Sequence, residues 1–183
     1  MSLFNYDRMK AAAWKRFENR IRRGVNEEEA RQAWVRDSIS IDSIAKLATW
    51  LIDKGISLHF ERRDGAVYNE DGKHVAISSA LPLDTALVFL LHECGHVLIG
   101  STGASKRYAL GYPKANDPEY NRKFEHRLAV LEEEMEAWHR GQKLAKRLKI
   151  AWSIQKSLWD EKRTMCLRSY VNWTMKPSKF TIK

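Results

Sequence analysis

The sequence predicts an α+β fold: a small three-stranded antiparallel sheet with helical segments at both ends. Three observations support this. Apolar residues recur at three- and four-residue spacing over most of the 183 residues. The period drops to two only between Ile56 and Ser79, and the turn signals Asp64-Gly65 and Asp71-Gly72 fall inside that short region. A hydrophobic share of 44% with seven Trp, six Tyr and six Phe suffices for one core and excludes a disordered chain.

The length fits a single domain over 1–183: N-terminal helices at 1–37, a core at 38–148, and a C-terminal helix with a basic tail at 149–183. Two cysteines, Cys94 and Cys166, exclude a disulfide-framework mini-protein and point to a reducing compartment. The longest apolar run, Ala86 to Leu91, is too short to span a bilayer, and the N-terminus lacks the apolar stretch of a signal peptide. The expectation is a soluble cytoplasmic protein with no membrane contact.

In chain order, Trp14, Phe17 and Ile21 predict a helix over 5–23, stopped by Gly24. Asn26 followed by three glutamates reads as an N-cap with acids in the first turn. A third helix is expected from Ile41 to Lys54, closed by Gly55. Ile56, Leu58 and Phe60 then alternate with polar neighbours. A return strand over 66–68 and a third over 74–79 complete a meander joined by hairpins. Asp84 is an N-cap for a helix from Thr85 to Leu98, with Gly100 beyond its end. A loop is expected over 101–116, then Asp117-Pro118-Glu119 opens a helix reaching Leu148. A last helix covers Ile154 to Trp173.

The helix opened by Asp84 contains His92-Glu93-Cys94-Gly95-His96. Histidines four apart project from one helical face, so both rings can reach one ion. Glu93 lies one residue round, where its carboxylate can reach a water on that ion without ligating it. Gly95 costs on the order of 1 kcal/mol in a helix interior, which implies close approach by another element. Cys94 points away from the histidine face and reads as packing.

Zinc needs a third protein ligand and an open position. Four carboxylates are on offer, at Glu132, Glu133, Glu134 and Glu136. Phe124, Leu128, Leu131, Met135 and Trp138 form a stripe that predicts the buried face. Glu134 borders it, with the small side chains of Val130, Ala137 and Gly141 at the same angle, and is the inward carboxylate. Glu132 lies near Glu125 and His139, while Glu133 and Glu136 share a face with Arg140; these three read as solvated.

His92-Glu93-Cys94-Gly95-His96, followed on a later helix by Glu134-Met135-Glu136-Ala137, resembles the ImmA/IrrE-type zinc metallopeptidases. The lead-in from Ile41 through Phe60 and the strand at 74–79 look similar too, so the likeness covers roughly residues 38–148. It implies a zincin-like core, Zn2+ as cofactor, His92, His96 and Glu134 as metal ligands, and Glu93 as general base. Trp138 stands where the family often has Asn or Asp. The segment from Glu134 to Leu148 looks most like compact versions encoded by bacteriophages and mobile elements. The implied activity is hydrolysis of peptide bonds in a protein substrate such as a regulator. Zinc would lower the pKa of its water while Glu93 moves the proton, and the strand at 74–79 would align an extended substrate by strand addition.

Charge supports another class of reading. Residues 140–183 carry twelve basic and two acidic side chains, a DNA- or RNA-binding surface if the charge is functional. Trp152, Trp159, Cys166 and Trp173 recur there every seven residues, as a core seam or as rings interleaved with Lys156, Lys162, Arg163 and Arg168. The alternatives to a peptidase are thus a nucleic-acid-associated protein with a structural metal site, and an inactive fold serving as an interaction or virion component. A SprT-like protease with His139 as third ligand is a further enzyme alternative. His126, His139, Tyr108, Tyr112 and Tyr120 are candidates to polarise a substrate carbonyl.

Overall fold

The computed structural model describes residues 2–69, 73–101 and 124–175. It is a mixed α+β structure, mostly helical. Strand β1 (Ser2–Leu3) leads into helix α1 (Tyr6–Arg22), capped by the Asn5 side chain accepting from the Arg8 amide. Helix α2 (Glu27–Ile52) starts on Asn26, whose side chain accepts from the amides of Glu28 and Glu29. The second and third predicted helices are one: nothing between Glu27 and Ile52 is Gly or Pro, so nothing interrupts the ladder. Gly55, at φ 71°, closes it.

Only the second half of α2 enters the core, through Ile41, Ile44, Leu47 and Leu51. Its first half pairs with α1, which among the described residues packs against no other helix or strand. Trp14 meets Trp34 edge-on at 5.5 Å, and Arg16 bonds Asp37 at 3.1 Å. The two helices form an arm on the core.

Strands β2 (Ser57–Glu61), β3 (Ala66–Asn69) and β4 (His74–Ser78) join β1 in a sheet of order β1-β2-β4-β3. The sheet is therefore mixed, not an antiparallel meander: β2 and β4 run parallel, Ser57 opposite His74, while β3 is antiparallel to β4. Asp64-Gly65 does not fold a hairpin back on β2. The Gly65 carbonyl accepts from the Ser78 amide, and the Glu61 carbonyl from the Ser79 amide, so the chain crosses the end of β4 and descends on its far side. Burial explains the order. Val75, Ala76 and Ile77 are fully buried and take the centre, while β3 is half-buried or exposed and takes an edge. With a neighbour on each side, β4 cannot accept a substrate strand.

Helix α3 (Leu83–Ser101) begins two residues earlier than predicted, so Asp84 lies in its first turn, its carboxylate accepting from the Thr85 amide at 2.6 Å, and Gly100 lies within it. Its stretch Leu83–Gly100 is long and apolar enough to cross a membrane by length and composition, but 78% of it is buried inside the fold. It is the central core helix. The predicted loop over 101–116, beyond Ser101, and the Asp117-Pro118-Glu119 helix start lie outside the described residues.

Helix α4 (Phe124–Arg147) crosses α3, and a short 3-10 turn (Ala151–Ser153) leads to α5 (Lys156–Thr174). A methyl group on Gly95 would run into the backbone of Ala137, and one on Gly141 into the carbonyl of Leu91. The glycines let two helix backbones touch, as Gly95 implied. The predicted stripe on α4 is buried only in part, Trp138 fully and Leu131 half. Phe124, Leu128 and Met135 are exposed, while His126, Val130, Glu134, Ala137, Gly141 and Leu144 are buried. Backbone contact selects the small side chains at the crossing and leaves Phe124, Leu128 and Met135 turned outward.

Candidate metal centre

Two elements assemble the site. Successive turns of α3 present His92 and His96, and α4, held close by the glycine contacts, presents Glu134 from the middle of its buried face. The three offer ligand atoms that all lie within 4.8 Å of one another. His92 Nε2 is 3.1 Å from Glu134 Oε2, His96 Nε2 is 3.5 Å from Glu134 Oε1, and the two Nε2 atoms are 3.3 Å apart. A tetrahedral ion with bonds of about 2.0–2.1 Å has ligand–ligand edges of about 3.3–3.5 Å. The two histidines approach different oxygens of Glu134, and with ligand atoms within 4.8 Å the three residues offer two nitrogens and a carboxylate suited to an ion of that size, with a fourth position open.

Burial and charge agree with that geometry. The Glu134 side chain is 3% exposed and that of His92 7%. Burial disfavours the charge on Glu134, yet the two histidines outweigh it and hold the carboxyl well below its usual range. Burial also disfavours the His96 cation, but hydrogen bonds to Glu133 and Glu134 and the charges of Glu93 and Glu134 push its pKa up to about 10.

The surroundings of the ligands differ from the expectation. Glu133 is not solvated: its side chain is 15% exposed and its Oε1 lies 3.1 Å from His96 Nδ1. A carboxylate on the outer nitrogen of a metal-facing histidine fixes its tautomer and orientation. Glu136 pairs with Arg140 at 2.7 Å, as their shared face implied, and Arg140 also donates to the Leu98 carbonyl. Trp138 stacks on His92 at 4.4 Å and 20°, orienting the ring by its face. The His92 Nδ1 atom is buried with no protein partner among the described residues.

Glu93, 6% exposed, lies beside the centre, and its charge acts on His96, Cys166 and Tyr170. Cys94 is fully buried in the main apolar cluster, as predicted. His139 is exposed and stands outside the ligand group, so the His139 ligand set is not assembled. His126 is fully buried, its ring edge-on to Trp173 at 6.5 Å. Tyr108, Tyr112 and Tyr120 lie outside the described residues.

No protein-family model matches the chain, and no curated protein or solved structure matches it. The chemistry must be argued from the site.

Two residues near the centre escaped the sequence reading. Burial, then Glu134 and Glu93, push the Cys166 thiol up to about 11, and burial and Glu134 push the Tyr170 phenol well above its ordinary value. The seven-residue seam is real at its centre, with Trp159 buried and Cys166 half-buried, but Trp152 is 72% exposed. Extending the seam by one helical turn from Cys166 leads to Tyr170.

Proposed function

We propose that the protein is a zinc-dependent peptidase of the ImmA/IrrE-like kind, with His92, His96 and Glu134 holding the ion. The supporting observation is that two imidazole nitrogens and a buried carboxylate, from His92, His96 and Glu134, converge with ligand atoms all within 4.8 Å of one another. When bound there, zinc supplies Lewis-acid chemistry, making water acidic and polarising a carbonyl. Glu93 accepts the proton of the attacking water and delivers it to the leaving amine. Its near-complete burial limits competing solvent, and Glu133 and Trp138 keep the histidine rings aimed. An extended substrate pairs with the outer edge of β3 at Ala66 and Val67, since β3 is a sheet edge and packs against α3.

The test compares wild type with Glu93→Gln, which removes the base and keeps the ligands. Both proteins should purify with about one zinc per chain. Cells expressing wild type should accumulate new protein N-termini that cells expressing Glu93→Gln lack, because removing a general base costs about 10²–10⁴ in rate. Identical termini from zinc-loaded wild type and Glu93→Gln across several hosts would defeat the peptidase reading and leave a structural metal centre.

A further inference from the structure

Helices α4 and α5 run antiparallel, and two contacts fix their register. At one end Trp138 meets Trp159 edge-on at 5.0 Å; at the other, Arg127 Nη1 donates to the Trp173 carbonyl at 3.1 Å. Glu134 lies between those anchors on α4, so it faces the middle of α5. Trp159, Cys166, Tyr170 and Thr174 follow at steps of seven, four and four, which places them on one stripe of α5. Trp159 and Thr174 are buried against the fold, so the stripe faces α3 and α4. Tyr170 is half-buried on it, on the face turned toward α4, and burial together with the Glu134 charge raises its phenol well above its ordinary value.

Glu134 is contested from both sides. One oxygen lies toward His92 and the other toward His96. A carboxylate that ligates through a single oxygen needs its second oxygen held elsewhere, and ligating carboxylates are characteristically hydrogen-bonded by an outer partner. Glu133 serves His96 in this way, and Trp138 braces His92. Glu134, the third member of the group, faces the stripe of α5 that carries Tyr170.

We propose that Tyr170 is a positioning residue of the metal centre, orienting Glu134 so that one carboxylate oxygen faces the ion while the protein holds the other. The inference rests on the metal-centre reading and deepens it. The C-terminal helix is then a working wall of the site.

Zinc affinity of the full-length protein, measured by competition with a chromophoric chelator, tests this without reference to activity. Tyr170→Phe should weaken zinc binding about 10–100-fold, the usual cost of losing an outer partner, and should shift the visible spectrum of the cobalt-loaded protein. Cys166→Ala, on the same stripe, should change affinity less than about threefold, which separates a phenol hydrogen bond from helix packing. In a Glu134→Gln background, Tyr170→Phe should cost nothing further. If Tyr170→Phe does not fold, p-methylphenylalanine at position 170 keeps tyrosine's shape without its donor and should show the same loss, whereas p-aminophenylalanine should restore affinity. A donor-less variant binding zinc within about twofold of wild type overturns the proposal, as does an equal loss in Cys166→Ala. In both cases wild type still binds zinc, so the metal-centre reading survives; a wild type that takes up no zinc defeats both.

Discussion

Glu134 and His96 share a buried charge whose balance depends on pH and metal. Zinc must displace the proton on His96, whose pKa stands at about 10. Calorimetry of zinc uptake at pH 7.5, in buffers of different ionisation enthalpy, should therefore report release of at least about one proton per ion. The same values set the stability of the metal-free protein. His96 is raised, so its contribution is full below its ordinary value near about 6.5 and is lost as pH rises through about 10. Glu134 is depressed, so its contribution is present above the usual carboxylate value and lost only as pH falls through its lowered one. In chelator, the urea midpoint should therefore fall between pH 8 and 10.5, and His96→Gln should flatten that slope. Among the carboxylates, Glu134→Gln should lose most of the bound zinc in metal analysis, while Glu136→Gln, which breaks only the exchange with Arg140, should keep it.

The α3–α4 crossing is the element on which the site depends. Gly95→Ala gains about 1 kcal/mol of helix propensity but drives a methyl group into the Ala137 backbone, where no flexible side chain can yield. Overpacking of this kind costs about 1–3 kcal/mol and occasionally more. Contact with backbone belongs at the upper end, so the melting temperature should drop by about 4–8 °C. Zinc affinity should fall with it, because the helix spacing sets the ligand triangle. The same crossing shows what the sequence could reveal. Gly95 and the Val130-Ala137-Gly141 line disclosed a close approach and placed Glu134 inward, although three of the five stripe residues, Phe124, Leu128 and Met135, are exposed and only Trp138 is fully buried. Propensity and periodicity score large apolar residues as buried, but a backbone-to-backbone contact excludes them. Glu133 was misjudged for the same reason, since the close crossing brought it to His96. In the sheet, alternation and turn signals located β2, β3 and β4 but not the two-residue β1, and order depends on which strand buries best between neighbours, with Gly65 turning toward a partner far along the chain. The cap at Asn26 is local and was legible; the Asn5 cap comes from the structure.

At the scale of the whole molecule, the protein combines a core fastened across the metal site with an arm fastened only to α2. An ion bound at 100 times its dissociation constant adds about 2.7 kcal/mol, so zinc should raise the melting temperature by about 5–10 °C, and a chelator should reverse it. The arm should not share this gain. With packing on one helix among the described residues and Trp14 exposed at its centre, α1 should open independently. Hydrogen exchange should show amides of α1 exchanging at the same rate with and without zinc, while those of α3 and α4 slow on loading.

Trp138 lies between the His92 ring, parallel at 4.4 Å, and Trp159, edge-on at 5.0 Å. An indole in face contact with a ligand's imidazole is an optical probe built into the centre. A cobalt or copper ion on His92 would drain its excited state across a few ångströms, while closed-shell zinc would leave emission bright but alter its surroundings. The same protein should thus dim with one metal and shift colour with another, and Trp138→Phe should silence both responses while the other six tryptophans supply a constant background. Metal occupancy in this molecule is readable from its own light.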